Sequence, residues 1–340
     1  MLKISANGEK PGVFINTEEI LVGGQAVIEG VMMRTPTTYA IALRRADGSI
    51  EVRKGVVAKI TGIWRFFRFP VLRGFAVLIQ SLRLGYRALQ FSYEKAVEDL
   101  EAKERLAEDP GGHKPAKKAN TMSMVGMFAI SLAFGIGLFV LLPLYITTFL
   151  KSYYGAINNW LIFNLVDGII RVAFFLAYLG STYFMKDIKR VFQYHGAEHK
   201  VVYTWESKEE LIVENAQQHS RLHPRCGTSF LLFVMVVSIL VFSLFKFGSF
   251  YLIFLSRILL LPLISGLSYE LIRFTAKKAF VTGGGWSSAF FRGLTAPGLW
   301  LQRITTQEPS ADQLEVAICA LKEALELERT GEPEKALATS

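Results

Sequence analysis

Four of the five histidines in this sequence lie close together, and a cysteine follows them. The side chains that can donate to a metal are His195, His199, His219, His223 and Cys226. His195 and His199 are four residues apart, so on a helix both imidazoles point the same way, one turn apart. Two imidazoles at that spacing can hold one metal ion. We therefore expect residues 186–227 to carry a divalent metal site.

The first histidine pair belongs to the string His-Gly-Ala-Glu-His, in which Glu198 borders the same helical face. This string matches the H-x-x-E-H pattern of the inverted zinc peptidases. In such sites the glutamate helps to activate water at the metal, which makes Glu198 the candidate general base. That class takes a distant downstream glutamate as third ligand, and Glu270 is the residue at such a distance. His219, His223 and Cys226 are closer and are better donors, so the motif predicts a metal site without identifying a peptidase.

The second histidine pair repeats the four-residue spacing and is followed by Pro224, which disfavours the helical conformation at the residue before it. A thiolate at Cys226 is a soft ligand that suits zinc or iron. We expect zinc, with iron as the alternative, and not all five ligands need to bind at once. Two other readings stay open. In the first, the histidines are interface residues that hydrogen-bond to lipid phosphates or backbone. In the second, they are haem ligands, which agrees less well with their position outside the apolar runs.

Glu29 is the other carboxylate that stands out as a candidate catalytic residue. In the string GGQAVIEGVMMR it is a lone acid among small and apolar residues, with Gln25 four positions before it. One reading is a buried or substrate-facing acid, and the other is an acid in a β-turn whose backbone amides satisfy it. Gly23 and Gly24 do not form a phosphate-binding loop, because no Gly-Lys-Ser/Thr sequence follows them.

Apolar residues make up 51% of the chain, the mean hydropathy is +0.32, and these residues are concentrated in long runs. A helix needs about 20 apolar residues to span a bilayer. Suitable runs occupy residues 119–150, 160–185, 228–245 and 250–274. The sequence therefore predicts a mainly α-helical membrane protein, a bundle of about four transmembrane helices. Asp167 and Arg171 lie four apart in the second run, where they form a structural ion pair or, alternatively, part of a transport relay.

The remaining segments attach to this bundle. After a polar tail at residues 1–20, strand-like runs at 40–43 and 50–52 flank Asp47-Gly48, a strong hairpin signal, so residues 21–56 are expected to form a small cytosolic β unit. Residues 57–93 mix arginines with aromatic residues. They form either a helix in the membrane interface or an amphipathic helix packed on the β unit. Residues 94–118 are a charged linker, and residues 275–340 are a cytosolic segment with a terminal helix.

The net charge is +9, and basic residues are concentrated before the first apolar run and in residues 186–227. The positive-inside bias predicts that both termini and the histidine-rich loop are cytosolic, beside anionic lipid headgroups. The basic residues form no recognisable nucleic-acid module, so we expect the lipid bilayer and no nucleic acid as a partner. Two cysteines fit a reducing compartment, and the first residues lack the apolar core of a signal peptide.

Several blocks of this sequence resemble the bacterial YqhQ-like family, catalogued as a domain of unknown function (DUF1385). They are GGQAVIEGVMMR, RGFAVLIQSLRLGYRAL, QYHGAEHKVVYTWE, HPRCGTSF and LQRITTQEPSADQLEVAICAL. The family's HGAEH and HPRCGTS blocks match His195 to His199 and His223 to Ser229 without departure. The resemblance covers residues 21–325. It implies a multi-pass protein of the bacterial cytoplasmic (inner) membrane, in a family described as a predicted metal-dependent membrane enzyme.

The function that follows is metal-assisted hydrolysis of an unknown substrate at the cytosolic membrane face. The alternative is a non-catalytic, metal-stapled scaffold that recruits a cytosolic protein through the β unit and the C-terminal helix. A structural zinc is closed by four protein ligands, whereas a catalytic one keeps a position open for water. Four converging ligands would therefore favour the scaffold, and three ligands beside Glu198 would favour the enzyme.

Overall fold

The β unit is a four-stranded antiparallel sheet whose strands follow each other in chain order. The strands are β1 (Gly23–Val27), β2 (Gly30–Arg34), β3 (Thr38–Arg44) and β4 (Ile50–Val56). The predicted hairpin is present: Arg44 pairs with Ile50, and Gly48 adopts a φ of +86° that glycine tolerates without strain. This sheet belongs to a computed structural model that describes residues 20–57, 69–108, 121–281 and 286–330. The parts of the expected segments that lie outside the described residues are most of the N-terminal tail, 58–68 of the amphipathic segment, 109–118 of the charged linker, and 282–285 and 331–340 of the C-terminal segment.

Successive side chains along a strand point to opposite faces of the sheet, and both faces of this sheet are apolar. Val31, Met33 and Ala42 point to one face and join the main hydrophobic core. Val27, Met32, Ile41 and Leu43 point to the other face, where they pack on a long helix, α1 (Pro70–Glu108). The sheet is therefore covered on both sides.

Helix α1 begins at a proline, the residue that suits a first helical position, and continues to Glu108, inside the expected charged linker at 94–118. Its middle part packs under the sheet through Leu84, Ala88 and Phe91. Nearer its start, Gly74 lies against Gly266, where a side chain on either glycine would meet backbone atoms at 2.9 Å or less. The described part of residues 57–93 therefore packs on the β unit, as in the second of the two readings. It also contacts the apolar helices.

The apolar runs are helical. They form α2 (Thr121–Ile136), a π-helical turn (Gly137–Leu141), α3 (Leu142–Tyr153), a short 3₁₀ turn (Gly155–Asn158), α4 (Trp160–Tyr183), α7 (Gly227–Ser243), α8 (Phe250–Leu259) and α9 (Leu261–Val281). Residues 129–153 and 160–183 are each long and apolar enough to cross a membrane. Helices α8 and α9 meet at a bend of 46° and would make a third span together. The apolar part of α7, Phe230–Ser243, is about 21 Å long at 1.5 Å per residue, shorter than a bilayer core of about 30 Å. The described residues thus contain two or three candidate spans rather than the four expected.

Four further helices lie outside these runs: α5 (Lys186–Glu206), α6 (Val213–Gln218), α10 (Trp286–Thr305) and α11 (Ala311–Thr330). The expected histidine-rich loop is therefore largely helical. Helix α10 falls in the C-terminal segment, for which the sequence predicted only the terminal helix, and Pro297 lies inside it. The fourth apolar run also continues as helix beyond residue 274, to Val281.

One hydrophobic core joins three segments that are far apart in sequence. It contains the inner face of the sheet, Tyr194, Ala197 and Val201 of α5, and Leu314 and Leu321 of α11. Each of these helix residues is 1% exposed or less. Helix α5, which carries the histidine motif, is thus held between the sheet and the C-terminal helix.

Candidate metal centre

The first histidine pair lies on α5, as its spacing predicts. The ring centroids of His195 and His199 are 4.5 Å apart. Gly196, between them, has a specific role, because a β-carbon there would lie 2.1 Å from the carbonyl oxygen of Gln307. The segment after α10 crosses α5 at this point, and the Gln307 N–H donates to the Phe192 carbonyl (2.8 Å). The glycine is therefore needed for the close approach of two backbones.

Cys226 reaches this pair from the start of α7. It is the N-cap residue of that helix, and its Sγ accepts from the N–H of Thr228 (3.4 Å). The same sulfur lies 3.2 Å from Nε2 of His195. One donor atom from each of His195, His199 and Cys226 lies within 4.8 Å of the other two. The turn that contains Pro224 thus returns the chain to the histidine helix.

Backbone carbonyls fix the two imidazoles. Nδ1 of His195 is 2.8 Å from the Thr305 carbonyl, and Nδ1 of His199 is 2.5 Å from the Arg221 carbonyl. A carbonyl can only accept, so each Nδ1 carries the hydrogen and each Nε2 presents a lone pair. Nε2 of His199 is buried and has no hydrogen-bond partner among the described residues. Burial lowers the pKa of His199, although the Cys226 thiol acts in the opposite direction. The lowered pKa favours the neutral ring, in which this lone pair is available.

Glu198 lies beside the group and is 7% exposed. Its Oε2 is 3.9 Å from Nε2 of His195. Burial raises the pKa of Glu198, while His195, His223 and the backbone N–H of Gly24 act in the opposite direction. Gly24 belongs to β1, and a β-carbon at this position would lie 2.9 Å from Cγ of Glu198. The sheet therefore forms one wall of the site.

The second histidine pair does not join the group. His223 is buried; its Nε2 faces Glu206 (3.3 Å), and its ring centroid is 5.7 Å from that of His199. Burial lowers the pKa of His223 to about 4, with Glu198 opposing the shift. His219 lies farther out, where its Nε2 is 3.0 Å from Glu209 and its ring stacks on Tyr203.

The two other acids singled out by the sequence have guanidinium partners. Glu29 lies in the turn between β1 and β2 with a φ of +53°. It pairs with Arg190 of α5 (Nη2 to Oε2, 2.6 Å), and the Tyr194 hydroxyl is 3.4 Å away. Glu29 is thus an acid in a turn, as in the second reading, but its described partner is a guanidinium group instead of the backbone amides of the turn. Glu270 forms a bidentate pair with Arg73 (2.7 and 2.8 Å), away from the histidines.

Several groups that build the site could not be recognised from the sequence. The carbonyls of Thr305 and Arg221 hold the imidazoles, and backbone atoms carry no signal in a sequence pattern. The side-chain amide of Gln302 accepts from the His223 N–H (2.7 Å) and donates to the His223 carbonyl (2.8 Å). Gln302 and Thr305 belong to the block LQRITTQEPSADQ, whose residue types do not suggest metal chemistry.

Comparison with known proteins gives a family and one close relative. Residues 69–327 match the family described as "Protein of unknown function (DUF1385)". The chain is 35% identical over 314 residues to the "Uncharacterized protein YqhQ" of Bacillus subtilis (strain 168), which covers 91% of this chain and 94% of that protein. No solved structure matches the chain.

Proposed function

The chain belongs to the DUF1385 family, and we propose that it is a metal-dependent membrane enzyme that performs hydrolysis at the cytosolic face of the membrane. The metal would be held by His195, His199 and Cys226. The observation that carries this proposal is the buried, unpartnered Nε2 of His199, which faces a group of donors within 4.8 Å of one another. An unsatisfied buried lone pair is costly, and a metal ion would satisfy it.

The donor set fits a transition metal. Two imidazoles and a thiolate are ligands that zinc and iron accept. The 3.2 Å separation of His195 Nε2 and Cys226 Sγ is close to the value of about 3.5 Å expected for two ligands of a tetrahedral zinc. Metal-bound histidines typically donate their other ring N–H to a carbonyl or carboxylate, and both histidines do so here.

Three protein ligands leave a fourth position for water, which is typical of catalytic rather than structural zinc. A metal bound there would polarise a carbonyl or phosphoryl group and make its bound water more acidic. Glu198 is placed to take and return a proton, because it is buried beside His195 and its pKa is raised. A carboxylate whose pKa moves towards neutrality suits general acid–base work.

The alternative is a metal-stapled scaffold that recruits a cytosolic protein. A closed site would need a fourth ligand, and His223 is the candidate. Its Nε2 is directed at Glu206, so a rotation of its ring would be needed. The observed grouping of three therefore favours the enzyme.

Packing supports the proposed placement in the membrane. The sheet before the first apolar run, α5 between the second and third, and α11 after the fourth share one core. Segments that share a core lie on the same side of a membrane, so the chain would cross it an even number of times between them. Two crossings by residues 129–153 and 160–183 meet this condition between the sheet and α5. Between α5 and α11 the bent α8–α9 pair would cross once, so the condition also requires α7 to cross, although its apolar part is shorter than the bilayer core. The positive-inside bias would place this core and both termini in the cytosol.

The test is metal content, measured by elemental mass spectrometry on detergent-purified protein. We expect about one zinc or iron per chain, lost in His199→Ala and in Cys226→Ala. His219→Ala is the matched control and should keep the metal, because His219 bonds to Glu209 outside the group. Folded wild-type protein without metal would refute the proposal. Loss of metal in His223→Ala, together with a four-ligand spectrum of the cobalt form, would favour the scaffold.

A further inference from the structure

A second cluster of charged side chains lies among the apolar helices, far along the chain from the histidines. Asp167 of α4 accepts from Nη2 of Arg171 (2.8 Å), as the sequence predicts. The structure adds Arg257 of α8, whose Nη2 lies 3.2 Å from the same carboxylate oxygen and 2.7 Å from Oδ1 of Asn164. Ser238 of α7 accepts from Nη1 of Arg171 (3.2 Å). Three helices thus meet at one polar cluster.

The cluster has an excess of positive charge. It contains two guanidinium groups and one carboxylate, and the side chains of Asp167, Arg171 and Arg257 are between 1% and 10% exposed. The sequence excludes a second carboxylate from the same helices. Residues 121–183 and 227–259 contain one acidic residue, Asp167. One positive charge is therefore left without a counter-ion in the described part of the chain.

The neighbouring groups do not remove this charge. The ring of Phe242 lies 3.9 Å from the guanidinium carbon of Arg257 and 5.4 Å from that of Arg171. A cation–π contact is attractive, but it offsets only part of the cost of desolvating a guanidinium group. Nε of Arg171 and Nε of Arg257 are also buried, and neither has a hydrogen-bond partner in the part of the chain that the structure describes. The cluster therefore offers both an uncompensated charge and two free N–H donors.

We propose that this cluster binds one small monovalent anion, such as chloride, held by the guanidinium groups of Arg171 and Arg257. An anion would balance the charge and accept from the free Nε donors. Oδ1 of Asp167 also has no partner within the described ranges, and a water molecule bound with the anion would satisfy it. Ionisable groups inside apolar helices commonly mark sites for ions or substrates. The proposal is independent of the metal centre.

The test uses the full chain in detergent and measures its unfolding temperature while sodium gluconate is replaced by sodium chloride at constant ionic strength. A ligand that binds only the folded protein raises the unfolding temperature, and we expect a rise of about 2–5 °C at saturation. Arg257→Gln is the matched variant, because it leaves one guanidinium and one carboxylate. Its unfolding temperature should not depend on chloride.

Two results would overturn the proposal. The first is a wild-type unfolding temperature that does not change with chloride. The second is an equal rise in wild type and Arg257→Gln, which would be a general salt effect. If Arg257→Gln does not fold, Asp167→Asn decides. With two uncompensated guanidinium groups it should depend on chloride more steeply than wild type, and an unchanged slope would contradict an anion site.

Discussion

At the scale of single residues, a spacing of four was informative only where the chain is helical. His195 and His199 lie on α5 and face the same way. His219 and His223 have the same spacing, but α6 ends at Gln218 and His219 is extended, so these two side chains diverge. The sequence therefore predicted the candidate donors without distinguishing the three that meet from the two that do not.

Glu198 gives the prediction that belongs to this scale. Glu198→Gln should keep the metal, because Glu198 is assigned to proton transfer and not to coordination. The variant should also be more stable than wild type by about 1 kcal/mol, since a neutral amide costs less to bury than a carboxylate. Elemental analysis and thermal unfolding check the two outcomes.

Glu198→Ala is the companion variant, and it should be less stable than Glu198→Gln because it leaves a cavity. Loss of the metal from Glu198→Gln would contradict the assignment and make Glu198 a ligand.

At the scale of elements, sequence signals were most reliable where a single turn motif or a single apolar run determines the structure. Asp47-Gly48 identified the β3–β4 hairpin, and the long apolar runs identified the apolar helices. Helix α10 could not be recognised, because Pro297 and several glycines oppose helix formation locally. Tertiary contacts compensate: Leu301 is 1% exposed, and Gln302 holds the backbone of His223.

Two adjacent glycines test the wall that the sheet gives to the site. Gly24→Ala should lower the free energy of unfolding by about 1–3 kcal/mol, the usual cost of overpacking. Its β-carbon would meet the Met32 carbonyl at 2.6 Å and Cγ of Glu198 at 2.9 Å. Gly23→Ala is the matched control, because no heavy atom of the described residues lies within 4 Å of its β-carbon, and its effect should stay within about 0.5 kcal/mol.

Chemical unfolding measures both glycine variants. Repeating the Gly24→Ala measurement in a Glu198→Ala background separates the contact with Glu198 from the contact with Met32. Equal losses in the two single glycine variants would show that the sheet does not limit the site.

At the scale of the whole molecule, the lengths of the apolar runs and the distribution of charged residues predicted a mainly α-helical protein. The number of membrane spans, in contrast, depends on tertiary structure. The fourth run is bent by 46° at residue 260, and the third is short. A hydropathy profile does not show whether a bent or a short run crosses a membrane, because that depends on how the helices pack. The core shared by β2, α5 and α11 adds a constraint that counting apolar runs does not give. These three segments must lie on the same side of any membrane that the chain crosses.

Reporter fusions test this arrangement. Alkaline phosphatase should be active when inserted after Ile157 or Phe247, and a fluorescent protein should be fluorescent after Glu210. The physical reason is that the segments of the shared core lie on one side of the membrane. The chain must then cross the membrane an even number of times between them, which would place the loops at Ile157 and Phe247 on the opposite side. Equal reporter behaviour at Ile157 and Glu210 would mean that α4 does not cross the membrane.

The crossing of α5 by the segment after α10 has a consequence for biosynthesis. The carbonyl that orients His195 comes from Thr305, and the core that holds α5 is filled by Leu314 and Leu321. A nascent chain on the ribosome carries both histidines and Cys226 long before these residues emerge. The proposed donors would therefore lack these supports during most of translation, and only a nearly finished chain would be competent to bind the proposed metal.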